Sequence, residues 1–358
     1  MTTPSGFTRP KVRSRGAVEG PRTRHGLRKR TTAIAAGLLA LVLAAFASMI
    51  IGSRSIPLSD IVDAMRAYDP GNDAHLIIRT LRLPRTITAI LAGASLGVAG
   101  AVMQAVTRNP LAEPGLLGIN AGAAVAVVAG VSFLGLTDMV EYVWCGFAGA
   151  GLAGVAVFLL GRSHQAGTNP VRLVLAGAGL SVVLGSLTGI ILINTPSATL
   201  DVFRNWSAGS VEGRGADVAT ILALATAMGL ASAFAIAASL NTVALGEDLG
   251  KALGANVRVT WAAACVCVMV LAGGATAAAG PIGFVGLLSP HIARAMMGPD
   301  QRWIAPCSAL YAAILLLASD ILGRVIAAPS EVAAGIVATL LGGPFLIIAA
   351  RRFRLRQL

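Results

Sequence analysis

The sequence predicts an all-α, polytopic membrane protein with about ten transmembrane helices, arranged as two inverted-topology halves. Composition, the length of the apolar blocks and the distribution of charge lead to this fold class. Of 358 residues, 56% are hydrophobic and 12% are charged, and the mean hydropathy is +0.77. A soluble domain carries roughly 25% charged residues, so the composition fits a bilayer.

Nine uncharged blocks supply the helices. A block of roughly 20 apolar residues spans a bilayer, because a helix satisfies its own backbone hydrogen bonds in lipid. The seventh block is about twice that length, and it is interrupted by Gly280-Pro281, where proline would break a helix. It therefore predicts two crossings, the second one short, which gives ten in all. The blocks are Thr31–Ile51, Thr86–Val106, Pro114–Leu136, Tyr142–Gly161, Leu173–Ile193, Val218–Leu240, Val259–Ala293, Trp303–Ser319 and Val332–Ala350.

The distribution of charge predicts the orientation. With a cytoplasmic N-terminus, inner segments carry 20 basic and five acidic residues, whereas outer segments carry eight basic and 11 acidic residues. Basic residues concentrate on the cytoplasmic side, so both termini are predicted to be cytoplasmic, in the cytoplasmic (inner) membrane. Residues 1–30 are expected to form a disordered basic tail, and residues 31–358 the transmembrane domain. Signal-peptide cleavage after Ala45-Phe46-Ala47 is the alternative for the first block.

An internal repeat is consistent with this topology. Ala99-Gly100 followed by Pro110 reappears as Ala279-Gly280 followed by Pro290, at an offset of 180 residues. The second crossing runs inward and the seventh outward, so the two halves would be related by a pseudo-two-fold axis in the membrane plane. This arrangement favours a transporter over a receptor or a structural protein.

Motifs for catalysis are sparse. The nearest approach to a phosphate loop is Gly250-Lys251, but Ala252 follows where Ser or Thr is needed. The chain is therefore predicted not to be an enzyme, and any ATP hydrolysis is assigned to another polypeptide. Nine of the 28 basic residues lie in the first 30 positions and four in the last eight, flanking apolar spans, and this distribution does not suggest a nucleic-acid partner. No metal or disulfide framework is expected from the cysteines, which all lie in apolar blocks: Cys145, Cys265, Cys267 and Cys307.

One segment at the outer mouth of the second crossing is unusual in its charge. In Leu81–Arg85, Pro84 is suited to the first turn of a helix, and Arg82 and Arg85 would project outward from nearly one face. Snorkelling at the interface would explain such arginines. Because arginine is disfavoured on the outer side, the pair also suggests an acidic partner.

Two cytoplasmic segments stand out. Thr107–Gly115 contains two prolines and an asparagine, which predict a rigid turn or simply a tight connection. Leu240–Gly254 is interpreted as two short helices broken by glycines, with Leu245, Leu249 and Leu253 on one face. An exposed amphipathic segment of this kind suggests a docking surface for a soluble subunit, and an interfacial helix is the alternative.

Together these segments resemble the FecCD-type permease family, which includes the cobalamin and iron–siderophore import permeases of type II ABC importers. The resemblance covers about Ile56 to Ala350. It is strongest in RLPRTITAILAGASLGVAGAVMQAVTRNPLAEPGLLGINAGA, LNTVALGEDLGKALG and GPIGFVGLLSPHIAR. It implies ten helices per subunit, a second permease subunit (a homodimer or a related paralogue), two ABC ATPase subunits and an extracytoplasmic substrate-binding protein. No cofactor would be bound by this chain, since ATP and Mg would be held by the partner ATPase.

The resemblance also implies roles for individual residues. Arg82, Arg85 and Arg324 match the positions that receive acidic residues of the binding protein, although an i,i+4 ion pair with Asp320 is as plausible for Arg324. Further positions match the family's coupling helices, at about 240–256, and its cytoplasmic gate. The coupling residues are Leu245, Gly246, Glu247, Leu249, Gly250, Leu253 and Gly254, and the gate residues are Asn109, Leu111, Thr168 and Asn169.

The expected function is therefore translocation of an iron–siderophore by alternating access. The spans carry few charged residues, so a neutral pathway of small and apolar side chains is predicted, and it suits a preassembled chelate better than a bare ion. A cobalamin or haem importer of the same family remains an alternative, as does an ion-coupled secondary transporter. A non-transporting scaffold is the third alternative, but a scaffold would not need partners on both faces of the membrane.

Overall fold

The computed structural model describes residues 22–52, 56–162 and 170–354. Within these ranges the chain is helical and contains no strand, as predicted. A π-helical stretch, Ile77–Arg82, leads into α4, and a 3-10 turn, Pro114–Leu117, precedes α5. The α-helices are α1 (Arg22–Ile50), α2 (Leu58–Arg66), α3 (Asp73–Leu76), α4 (Leu83–Thr107), α5 (Ile119–Leu134), α6 (Met139–Arg162), α7 (Pro170–Ile193), α8 (Ser197–Ser207), α9 (Ala216–Ala244), α10 (Glu247–Ala252), α11 (Val257–Ala279), α12 (Val285–Met297), α13 (Gln301–Ile326) and α14 (Ala334–Arg354).

The predicted crossings correspond to helices of the structure. Seven helical stretches in the described residues are long and apolar enough to cross a membrane. Two more crossings correspond to the shorter apolar stretches Ile119–Leu134 and Ala334–Ile348, and the last to α12, which has 13 residues. The split of the seventh block is confirmed, because α11 ends before Gly280-Pro281 and α12 begins after it. The seven long stretches are Arg30–Ile50, Asp73–Thr107, Met139–Gly161, Val171–Ile193, Ala216–Ala244, Val257–Ala279 and Gln301–Ile326.

Some elements were not predicted. The connecting segments contain the helices α2, α3 and α8, which are too short or too polar to form an apolar block. The first helix begins at Arg22, before the predicted end of the tail at residue 30, and residues 1–21 lie outside the described residues. The segment interpreted as two short helices contains one, α10, because α9 continues as far as Ala244.

Helix α4 lies at the centre of the bundle and packs against α9, α11, α12 and α13. In the apolar stretch Asp73–Thr107, which ends with α4, 78% of the most apolar residues are buried, whereas only 11% are buried in the similarly apolar α7. Small residues allow the close packing of α4. A methyl group on Gly97 would lie 2.4 Å from the Ser308 carbonyl oxygen, and one on Gly100 would lie 1.7 Å from that of Gly286. Only glycine permits this backbone-to-backbone contact.

The loops that follow α4 and α11 contact each other. Glu113 Oε1 accepts a hydrogen bond of 2.9 Å from the backbone N–H of Phe284, the residue that caps the N-terminus of α12. A carboxylate near a helix N-terminus is favoured by the helix dipole. Burial raises the pKa of the Glu113 carboxyl, and the bond from Phe284 opposes that rise. This hydrogen bond therefore joins the N-terminal and C-terminal parts of the chain at these loops.

The predicted register of the internal repeat is wrong. Gly100 lies inside α4, whereas Gly280 caps the C-terminal end of α11. Pro110 lies in a turn, whereas Pro290 lies inside α12. The C-terminal ends of α4 and α11 are instead 172 residues apart. The match at 180 residues followed from the abundance of Ala and Gly in this chain.

Candidate functional site

A group of ionic side chains lies at the end of the bundle that the charge distribution predicts to be outer. Arg82 and Arg85 flank the start of α4, Asp320 and Arg324 lie in the last turns of α13, and Glu331 lies in the loop before α14. We call these five residues the outer ion cluster. The helix order brings together residues that are up to about 250 positions apart in the sequence.

Asp320 is the centre of the outer ion cluster. Its carboxylate accepts from Arg85 Nε at 3.1 Å on each oxygen and from Arg85 Nη2 at 2.7 Å, and it also pairs with Arg324 Nη2. The Asp320 side chain is 1% exposed. Arg85 Nη1 lies 2.7 Å from Glu331 Oε2, and this second pair is more exposed, since the Glu331 side chain is 17% accessible. The buried guanidinium group of Arg324 and the partly buried one of Arg85 thus share one buried carboxylate.

The other donors of the cluster satisfy the C-terminal end of α1. Arg324 Nη1 donates to the carbonyl oxygens of Ser48 at 2.8 Å and Ile51 at 2.9 Å. Arg82 Nη1 donates to the Ile50 carbonyl at 3.0 Å. The last carbonyls of a helix have no partner within it, and cations at this end are favoured by the dipole. The two arginines therefore tie α1 to α4 and α13.

The predicted docking residues Arg82, Arg85 and Arg324 are brought together, but they bind partners within the chain. Arg82 and Arg324 are 6% and 5% exposed. The i,i+4 pair between Asp320 and Arg324 is present. All three arginines also line a cavity of about 290 Å³, so contact with an external carboxylate stays a prediction. The other residues that line it are Gly52, Ile77, Leu81, Glu212, Gly213 and Glu331.

A larger cavity of about 770 Å³ lies beside the first and shares Glu212, Gly213 and Glu331 with it. Arg214, which sequence reasoning did not single out, is 3% exposed and lines this cavity. Its Nε donates to the Ser210 carbonyl at 3.1 Å, and its Nη1 contacts Met139 Sδ. Burial lowers the pKa of the Arg214 guanidinium to about 10. The only hint in the sequence was a basic residue in an outer loop, where few occur.

The inner face carries the predicted coupling segment, residues 240–256. Leu245, Leu249 and Leu253 are 60%, 52% and 62% exposed, although leucine is usually buried. Gly246 and Gly254, with φ of 117° and 82°, adopt left-handed backbone that favours glycine and so bound α10 on both sides. Gly250 is buried, and Glu247 begins α10.

An anchor fixes this segment to the start of α13. Asn241 Nδ2 donates to Asp300 Oδ1 at 2.6 Å, and Asn241 Oδ1 accepts from the Gln301 amide at 2.8 Å. The bond from Asn241 holds the pKa of the Asp300 carboxyl below its usual value. The exposed leucines are therefore carried on a segment whose base is held in place.

The structure describes two of the four predicted gate residues. Asn109 is exposed, and its Oδ1 accepts from the Leu111 amide at 3.0 Å, which forms the tight turn expected of Asn. Leu111 is half-buried in the same turn. Thr168 and Asn169 lie outside the described residues. The gate role of all four stays a prediction.

Side chains suited to metal binding do not cluster in the part of the chain that the structure describes. No group of three His, Cys, Asp or Glu residues there could hold a metal ion. The cysteines are free thiols, of which three are buried in helices: Cys265, Cys267 and Cys307. They are small apolar packing residues.

Comparison with known proteins gives full-length matches. The sequence pattern of the FecCD transport family matches residues 40–352. The ferric enterobactin transport system permease protein FepD of Escherichia coli (strain K12) is 40% identical over 324 residues, which cover 90% of this chain and 96% of FepD. The iron(3+)-hydroxamate import system permease protein FhuB of Bacillus subtilis (strain 168) is 42% identical over 320 residues, which cover 89% of this chain and 83% of FhuB.

A haem-related relative and a solved structure agree with these matches. The hemin transport system permease protein HmuU of Yersinia pestis is 35% identical over 320 residues, which cover 87% of this chain and 92% of HmuU. A structure described as an inward-facing metal-chelate type ABC transporter has a TM-score of 0.77 and 24% identity. It covers 90% of this chain and 99% of its own, and supports the fold.

Proposed function

Because the chain belongs to the FecCD transport family, we propose that it is the transmembrane permease subunit of an ATP-binding-cassette importer for iron–siderophores. One observation carries this proposal: relatives at about 40% identity over nearly the whole chain are permeases for ferric enterobactin and iron(3+)-hydroxamate. The membrane is the cytoplasmic membrane, and both termini lie in the cytoplasm. The asymmetry of basic residues supports this orientation.

The position of buried charge supports a chelate as cargo. Among the described residues, the fully buried Asp and Arg side chains are Arg82, Arg214, Asp320 and Arg324. All four lie in segments predicted to be outer. A secondary transporter driven by protons or sodium usually needs ionisable groups at midplane. A lining of small and apolar groups suits a large preassembled chelate.

The mechanism is alternating access driven by partner proteins. ABC ATPase subunits hold ATP and Mg and contact the coupling segment through Leu245, Leu249 and Leu253. Closure of the ATPase dimer moves this segment, and the permease rocks between outward-open and inward-open states. An extracytoplasmic binding protein delivers the chelate at the outer ion cluster, where Arg82, Arg85 and Arg324 line a cavity.

A second copy or a related permease subunit completes the pathway. Support comes from α7, whose apolar window is 11% buried in the single chain. Val182 and Ile193 on this helix are 70% and 86% exposed. Exposed surface of this kind faces lipid or another subunit.

Uptake measurements test the proposal. A strain that lacks this gene, with and without the gene restored, is grown without iron and supplied with a radiolabelled ferric siderophore. We expect uptake to fall in the deletion strain and to return with the gene. Uptake that survives loss of the ATPase but collapses with an uncoupler would instead indicate an ion-coupled transporter.

A haem importer of the same family is the second candidate, and the full-length match to HmuU favours it. Labelled haem and labelled cobalamin are therefore supplied in parallel. A selective loss of haem or cobalamin uptake would keep the permease function and change the cargo.

A further inference from the structure

Arg214 is a buried cation whose partners in the described residues are neutral. Its guanidinium group binds a backbone carbonyl, Ser210 O, and a thioether, Met139 Sδ. In the part of the chain that the structure describes, no carboxylate oxygen lies within 4.0 Å of a guanidinium nitrogen of Arg214, the distance that defines an ion pair. Arginine offers five N–H donors in a planar fork, and these two contacts use only part of them.

The two acidic residues that line this cavity form no ion pair with Arg214. Glu331 lines the same cavity but lies 2.7 Å from Arg85 Nη1, to which it is already paired. Glu212 is exposed to solvent, and its charge favours the protonated Arg214 without forming a pair. With a pKa of about 10, Arg214 is still charged at neutral pH. A buried charge without a counter-ion is costly, so the geometry favours an anion that arrives from outside.

The space in front of Arg214 is large enough for a chelate. The cavity measures about 770 Å³, within the range of about 300–1,000 Å³ that ligand sites occupy. It lies at the predicted outer end of the molecule, between the start of α6, helix α8 and the start of α14. Tyr142 and Trp206 line it, and both side chains are buried, at 6% and 2% exposed.

We propose that this cavity is a binding site for an anionic metal chelate, and that Arg214 recognises the negative charge of that chelate. The inference rests on the proposed function and adds to it the charge class of the cargo. Catecholate and carboxylate oxygens are acceptors that match the planar fork of arginine. An uncharged chelate could accept a hydrogen bond from this residue but would lack the stronger charge-assisted interaction.

Tryptophan fluorescence of the purified full-length permease in nanodiscs tests the site, because Trp206 lines the cavity. The probes are a ferric tris-catecholate with three negative charges and an uncharged ferric tris-hydroxamate. We expect Arg214→Gln to raise the Kd of the anionic probe at least about tenfold, the effect of one charge-assisted hydrogen bond. The Kd of the uncharged probe should change less than about twofold, and Arg214→Lys should recover part of the loss.

Two controls make the test specific. Arg66→Gln alters an exposed cation of α2 that lines neither cavity, so it should leave both Kd values unchanged. Trp206→Phe should abolish the fluorescence change. If Arg214→Gln does not fold, the wild-type protein still provides a test, because added salt should weaken binding of the anionic probe only.

Several results would overturn the inference. Equal losses for both probes would make Arg214 a structural residue, and so would the same salt dependence for both. Binding of neither probe to the wild type would remove the site. An effect of Arg214→Gln on docking of the binding protein alone would assign the arginine to a protein carboxylate. The uptake assay tests the permease function separately, so its failure is distinguishable from each of these.

Discussion

The outer ion cluster and the coupling segment lie at opposite predicted faces of the protein. The charged side chains of the cluster have partners within the chain, whereas the leucines of the coupling segment are exposed. In the cluster, Asp320 is 1% exposed and has two guanidinium partners within the chain. In the coupling segment, Leu249 is 52% exposed and is apolar. A buried charge must find its partner inside the fold, whereas an exposed apolar row gains from burial by another protein. The first region therefore stabilises the chain, and the second is available to a partner.

This difference can be tested by how much each residue contributes to the stability of the isolated chain. We expect substitution of Asp320, at the centre of the outer ion cluster, to lower the free energy of unfolding most. Substitution of Glu331, at the edge of the cluster, or of Asn241, in the anchor, should lower it less. Substitution of the exposed leucines of the coupling segment should leave it almost unchanged.

Asp320→Asn should have the largest effect. It leaves Arg324 buried and Arg85 partly buried without their shared carboxylate, and breaking a buried pair costs about 3–5 kcal/mol. Thermal unfolding of the purified protein and its abundance in the membrane measure this loss. Asp201→Asn is the matched control, because its pair with Arg204 is 60–74% exposed and should contribute less than about 1 kcal/mol. Similar losses for the two variants would contradict the central role of Asp320.

Glu331→Gln should have an intermediate effect, about 1–2 kcal/mol, because its pair with Arg85 is partly exposed and Arg85 keeps Asp320. The same unfolding measurement checks this value. A loss as large as that of Asp320→Asn would mean that the rim and the centre of the cluster act as one unit.

Asn241→Ala should cost less than about 1 kcal/mol, since the anchor is partly exposed. Part of this cost should depend on pH. The pKa of Asp300 is lowered in the folded protein, mainly by Asn241, so the stabilisation is present above the unfolded pKa of about 4 and disappears as the pH falls through the folded value. Unfolding of both proteins at several pH values tests this, and a gap that widens in acid would reject it.

Leu249→Asp should have the smallest effect on stability, within about 0.5 kcal/mol of the wild type, as for most surface substitutions. Its effect should appear instead in co-purification of the ATPase, which we expect to be lost because a charge enters the contact surface. Leu249→Met keeps the volume and apolar character and is the matched control. Retained ATPase binding in Leu249→Asp would show that the coupling segment is assigned wrongly.

The same contrast explains which features the sequence predicts. Uninterrupted apolar blocks predict the spans well, because length and hydropathy decide insertion locally. Exposed leucines spaced along one short segment are also a local signal, and Leu245, Leu249 and Leu253 are exposed as expected.

The outer ion cluster depends on tertiary contacts, which sequence spacing does not reveal. Arg82 binds carbonyls at the end of α1, and Arg85 binds a carboxylate 235 residues away. The arginine positions and the local pair of Arg324 with Asp320 were therefore predicted, but the distant partners of Arg82 and Arg85 were not. Glu331 and Arg214 were missed for the same reason, because a single charge in a loop has no pattern.

Contacts between distant parts of the chain affect the biogenesis of the protein. They include the hydrogen bond between Glu113 and Phe284 and the backbone contact of Gly100 with Gly286. Helix α4 emerges from the ribosome well before α11, α12 and α13, which provide most of the surface that it buries. Insertion of α4 into lipid and its packing must therefore be separate events. A chain that stops before α11 would be inserted yet lack a core, which makes an incomplete nascent chain a natural target for membrane quality-control proteases.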